Sequence, residues 1–132
     1  MKITVKNAGK FRMELRNGEE WVHTDAPAEY GGLGNYPSPV VLLAQSLMAC
    51  ALTTASKGAE KVGLDATGWH AELSEVCFDE GHEKVTAIAV HFHFGQDVPE
   101  EQRKRLEAFT MRGCTVGNSL TTEKRFSFDY DV

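Results

Sequence analysis

From Ser38 to Lys61 the residues Val40, Leu43, Leu47, Cys50 and Thr54 recur at helical spacing, with no glycine or further proline between Pro39 and Gly58. Ser38 is a capping residue type and Pro39 suits a first turn, so the segment predicts one long helix. The other positions are no more polar, since Val41, Leu42, Ala44, Met48, Ala49, Ala51 and Leu52 surround that stripe. A helix apolar on all sides must be covered on nearly all sides. A chain of 132 residues provides such cover by closing two sheets over the helix or by borrowing a second subunit, and an intimate homodimer is the expected solution. Val40 to Leu52 is the longest mostly apolar run. It is interrupted by Gln45 and Ser46 and falls short of the roughly 20 residues that cross a bilayer, so no membrane span is expected.

The flanking segments read as strands. Lys2 to Val5 and Phe11 to Leu15 alternate polar and apolar residues, and Asn17-Gly18 is a hairpin signal leading into Trp21 to His23. Pro27 to Pro39, rich in Gly and Pro, reads as a loop inside a domain. Beyond the helix, Gly68 to Phe78 and Glu83 to Gly95 predict a hairpin turning at Asp79-Glu80-Gly81-His82. Ile88, Val90, Phe92 and Phe94 share its core face, with Ala87, Ala89, His91 and His93 on the other. Pro99-Glu100-Glu101 opens a second helix that ends near Gly113. Thr115 to Leu120 follows as a short helix or turn, in which Asn118 and Ser119 read as caps, and Arg125 to Asp131 as a closing strand. This order predicts an α+β fold in a single domain over residues 1–132.

Fourteen Lys and Arg against nineteen Asp and Glu give a net charge of −5 with no basic block, which argues against a nucleic-acid partner. Met1 to Lys10 lacks the charged and apolar regions of an export signal, so a cytoplasmic location is expected. The three cysteines form no CxxC and no zinc-finger spacing. Taken singly, Cys50 and Cys114 read as small buried hydrophobes, and Cys77, between Val76 and Phe78, as a structural thiol. A peroxide-reducing pair requires one thiolate to attack the peroxide and a second thiol close enough to condense with the sulfenic acid. His91 and His93 share a strand face but show no third ligand; a polar outer face is the expected role, and no metal or other cofactor is predicted. Trp21 and Trp69 read as packing residues.

Cys50 and Cys114 each sit in a motif of their own. Pro37-Ser38-Pro39-Val40-Val41-Leu42-Leu43-Ala44-Gln45-Ser46-Leu47-Met48-Ala49-Cys50 resembles the proline-led buried helix, ending in a small residue and cysteine, of the OsmC/Ohr family. Gly113-Cys114-Thr115-Val116-Gly117-Asn118-Ser119-Leu120 resembles that family's second motif, a cysteine followed by a short run ending in Ser-Leu. Asp25-Ala26-Pro27 followed by Gly31-Gly32 is similar to the loop before the helix, so the resemblance covers essentially the whole chain. It implies antiparallel strands around a long buried central helix, an intertwined homodimer with active sites at the subunit interface, and a thiol peroxidase that reduces organic hydroperoxides. By that resemblance Cys50 is the peroxidatic and Cys114 the resolving cysteine. An external dithiol, a lipoyl protein or small thiol, reopens their disulfide, and no metal or flavin is implied.

The resemblance also implies a glutamate beside the helix proline that holds an arginine against the thiolate, but Val40 and Val41 stand there. Cys50 lies far from its own helix N-terminus, so a nearby cation is expected to lower its pKa. Arg12 and Arg16 on the first hairpin are the candidates, Arg12 first, with Glu14 or Glu29 as substitute orienters. Val40 and Val41 also motivate a second reading, a catalytically weakened dimer that binds small molecules or thiols as a stress protein. A structural interaction module is the third.

Overall fold

The computed structural model describes residues 1–131, whose contacts gather into two compact units, Met1–Leu43 and the remainder from Ala44 onward. In the first unit, β1 (Ile3–Gly9), β2 (Arg12–Asn17) and β3 (Glu20–Thr24) form an antiparallel sheet in that order. Gly18 adopts φ 67° at the Asn17-Gly18 turn, the left-handed geometry that this dipeptide favours. The first hairpin turns at Lys10 and Phe11, with φ of 55° and 63°, where side chains are uncommon; no turn motif announced it. A single 3-10 turn, Ala28–Tyr30, lies in the Gly/Pro-rich loop.

The second unit contains most of α1 (Pro39–Lys61) and a sheet of β4 (His70–Phe78), β5 (Val85–His93) and β6 (Glu123–Asp129), in the order β4-β5-β6. β4 and β5 are antiparallel, whereas β5 and β6 are parallel. Parallel neighbours need a crossover, and α2 (Glu100–Arg112) with the short α3 (Thr115–Asn118) supplies it. Ile88, Val90 and Phe92 form the buried face of β5 and Phe94 continues it just past the strand, as their alternation predicts, and Trp69 stacks on Phe94 at 4.5 Å. Trp21, read from sequence as a packing residue, is instead 48% exposed with the Arg16 guanidinium 5.7 Å from its ring.

The buried stripe of α1 is Ala44, Leu47, Ala51, Thr54, Ala55 and Ala59. It departs from the expected stripe because alanines let the sheet approach closely, whereas larger residues such as Leu43 are left partly exposed. Burial on nearly all sides is therefore not achieved within one chain. At 23 residues, with an 18-residue window of mean hydropathy 1.5, α1 also matches a membrane span in length and composition, a broader match than Val40 to Leu52 indicated. Its stripe is nevertheless packed in one core with Ile88, Val90 and Phe92 of the chain's own sheet.

Candidate active site

Cys50 lies on α1, half-buried, and Cys114 is 1% exposed immediately after α2. Two features bring the second cysteine to the helix carrying the first. Gly113 has no side chain to hold α1 away: a Cβ there would sit 2.7 Å from Thr54 Cγ2. The Thr54 hydroxyl, one turn beyond Cys50, lies 3.0 Å from the Cys50 carbonyl and 3.3 Å from that of Gly113, and donates to both. Cys114 then caps α3, its Sγ accepting the Gly117 N–H at 3.3 Å, while Asn118 Nδ2 donates to the Arg112 carbonyl at 2.9 Å. Asn118 thus ties α3 back to α2.

The two thiols are driven in opposite directions. The first amides of a helix have no partner inside it. At the start of α3 those of Thr115 and Val116 face Cys50, and its pKa falls below the ordinary thiol value. The Val116 N–H is the largest cause; partial burial opposes it, and the Cys114 thiol, the Thr115 N–H and the charge of Lys57 add to the lowering. Burial, foremost, pushes Cys114 up, against the Gly117 N–H, and proximity to Cys50 raises it further. Cys114 is therefore the thiol that keeps its proton, and its Sγ lies 3.9 Å from the Leu47 carbonyl, to which it donates. The expectation that only a cation could activate Cys50 is corrected: backbone amides of another helix lead, and the cation in this unit is Lys57, seven residues along the same helix face.

In the first unit, Arg12 forms a two-point ion pair with Asp25, Nε to Oδ1 at 2.8 Å and Nη2 to Oδ2 at 2.9 Å. Asp25 is 1% exposed and also accepts the Asn35 and Tyr36 amides, while Arg12 lies 4.7 Å over the Tyr36 ring. Arg12, ahead of these amides, holds the Asp25 carboxyl at about 2 against the upward pull of burial. The carboxylate orienting Arg12 is thus Asp25, not Glu14 or Glu29; Glu14 instead lies 3.8 Å from His23. Arg16 is engaged at its own turn, donating to the Gly18 carbonyl at 2.7 Å. Val40 and Val41 occupy the first turn of α1, which holds no acidic residue.

Cys77 stands apart on β4, half-buried, with Arg125 Nη1 3.8 Å from its sulfur. A cavity of about 620 Å³ between α1 and α2, lined by Gly58, Val62, Val98, Leu106, Phe109 and Arg112 among others, includes neither Cys50 nor Cys114.

Residues 32–129 match the model of the OsmC-like protein family. Solved structures agree in fold. An osmotic-stress-induced and detoxification-response protein from Psychrobacter arcticus superposes with a TM-score of 0.86 at 24% identity, covering 98% of this chain and 96% of its own. The OsmC-like protein of Mycoplasma pneumoniae gives 0.82 at 16% identity, covering 99% and 96%. An organic hydroperoxide resistance protein, OsmC, from Legionella pneumophila gives 0.68 at 20% identity, covering 100% and 98%. No curated protein matches the chain.

Proposed function

The chain belongs to the OsmC-like family, and from that premise we propose that it is a cytoplasmic thiol peroxidase reducing organic hydroperoxides through Cys50 and Cys114. The observation that carries the reading is the close approach of Gly113 to Thr54, which brings Cys114 and α3 to the helix that holds Cys50, and the opposite directions of the two thiols accord with it. In the first step the Cys50 thiolate attacks the distal peroxide oxygen. The O–O bond breaks, the alkoxide takes a proton and leaves as alcohol, and Cys50 becomes a sulfenic acid. The Cys114 sulfur then attacks that of Cys50, forming the S–S bond and expelling the oxygen as water. An external dithiol, a lipoyl protein or small thiol, reduces this disulfide by exchange and is itself oxidised.

Arg12 is assigned the cationic role toward thiolate and leaving oxygen. Its two-point grip by a buried carboxylate is the kind of preorganisation that charge stabilisation requires, and Asp25 supplies what Val40 and Val41 cannot. A homodimer is part of the reading, supported by the exposed Ile3, Val5, Phe11, Trp21 and Leu43.

Mass spectrometry after stoichiometric cumene hydroperoxide, with and without dithiothreitol, tests the chemistry. A reducible Cys50 to Cys114 disulfide formed within seconds is expected, and Cys50→Ser should abolish peroxide consumption. Unchanged thiols overturn the reading. They would favour the second one, ligand binding without turnover, for which the absence of an acidic residue in the first turn of α1 is the specific observation; an apolar ligand should then raise Tm.

A further inference from the structure

The sheet face opposite the core carries a side-chain cluster that the peroxidase reading does not use. Strand register sets it out in two rows. His70, His93 and Asp129 are cross-strand neighbours in one, and Glu72, His91 and Ser127 in the other. Because side chains alternate along a strand, all six point to the face away from Phe92. The third ligand that His91 and His93 lacked in the sequence is Asp129, 36 residues beyond His93 and brought alongside only by the parallel pairing of β5 and β6.

We propose that His91, His93 and Asp129 form a binding site for a divalent first-row transition-metal ion of the zinc class. His91 Nε2 lies 2.7 Å and His93 Nδ1 2.6 Å from the same carboxylate oxygen, Asp129 Oδ2, and the three atoms fall within 4.8 Å of one another. Ligands bonded at about 2.0–2.1 Å around a tetrahedral ion are about 3.3 Å apart, so each imidazole–carboxylate contact needs to open by about 0.6 Å. A metal ion would take the nitrogen lone pairs that face the carboxylate, leaving each neutral ring's proton on its other nitrogen.

The other ring nitrogen of His91 is hydrogen-bonded, as in metal sites, and that of His93 has a carboxylate nearby. His91 Nδ1 is 2.6 Å from Ser127 Oγ, and His93 Nε2 is 3.6 Å from Glu72 Oε1. The His70 ring stacks on that of His93 at 4.5 Å and fixes its plane. Each ligand is roughly a quarter exposed, which gives the ion a route in and leaves a coordination position for water. Two imidazoles and one carboxylate select a borderline ion over Mg²⁺ or Ca²⁺, which favour all-oxygen shells.

The test uses the full chain, stripped with chelator, and titrated with Zn²⁺ by calorimetry and with Co²⁺ by absorption spectroscopy. One equivalent per chain is expected, with cobalt d–d bands and no thiolate-to-cobalt charge-transfer band, which separates this site from the cysteines. Asp129→Asn and His91→Gln should each weaken Zn²⁺ binding by about 100-fold, while His82→Gln, outside the cluster, should leave it unchanged. Circular dichroism reports whether each variant folds; should one fail, the other variant and the unaltered chain's cobalt spectrum decide. Absence of stoichiometric binding, a thiolate charge-transfer band, or undiminished affinity in a folded variant would overturn the proposal.

Discussion

Two thiols with the same intrinsic chemistry acquire different acidities from a few neighbouring groups. Cys50 has amide N–H groups aimed at it and Cys114 has burial, so the first favours thiolate and the second thiol. Alkylation followed against pH should show Cys50 inflecting below the ordinary thiol value and Cys114 above it, with Cys50 labelled first at neutral pH. Thr115→Pro isolates one contribution. Proline suits the first position of α3, and Cys114 before it is already extended at ψ 106°, so the change removes one amide at little backbone cost. It should slow Cys50 alkylation, by less than about tenfold since the Val116 amide remains. Asp25 gives a second pH dependence. Its carboxyl titrates at about 2 when folded, below the ordinary value of about 3.9, so the pair stabilises fully above pH ~4 and is lost as pH falls through 2. Thermal melts from pH 2 to 5 should show this slope, and Asp25→Asn should flatten it and lower Tm at neutral pH. The cysteines were legible because each sits in a contiguous motif. Asp25 was quoted in a loop motif without a partner, since nothing local in a sequence tells a carboxylate which arginine it will meet. Lys57 carried a usable signal, its seven-residue spacing from Cys50, which puts the two on one face of the helix.

The elements around the site meet through residues chosen for smallness. At Gly113 a Cβ would lie 2.7 Å from Thr54 Cγ2 and 3.1 Å from the Phe109 carbonyl, both on packed helices. Gly113→Ala should therefore push the end of α2 off α1 and carry Cys114 with it. Disulfide formation after peroxide treatment, followed by rapid quench and mass spectrometry, should slow on the order of 10- to 100-fold, because misplacement by about 1 Å costs that much. An unchanged rate would mean that this close approach does not set the thiol geometry. Periodicity made the strands and α2 readable, and the alternating core of β5 followed directly. Two features at this scale were not readable. A strand pattern does not name its neighbour, so Arg125 to Asp131 gave no sign of pairing parallel with β5. The stripe of α1 was misplaced because a helix apolar on every side has no periodicity to mark its buried face, and close packing favoured Ala44, Ala51, Ala55 and Ala59 over larger side chains.

For the whole molecule, the decisive fact is how little of α1 its own chain covers. Across the most apolar stretch of that helix 28% is buried, although the sequence there is as apolar as a membrane span. The first sheet is in the same condition, with Ile3 and Val5 on β1 64% and 65% exposed. Leaving such side chains in water forfeits roughly 1.5–3 kcal/mol for each that could be fully buried. Both sheets also end in open edge strands among the described residues, β1 and β3 in one and β4 and β6 in the other. A second copy of the chain would cover apolar surface and pair strand edges together, whereas a small ligand could cover only a part. Sedimentation equilibrium should accordingly give twice the chain mass of 14.6 kDa. Val5→Asp places a charge on the exposed apolar side of β1, where folding of the single chain demands no burial but assembly does. It should shift the protein toward monomer and, if the cysteine site is completed across the interface, slow peroxide turnover at low protein concentration while high concentration restores it. A native chain that sediments as a monomer would remove the argument for how α1 is covered, and a dimeric Val5→Asp variant would move the interface away from β1.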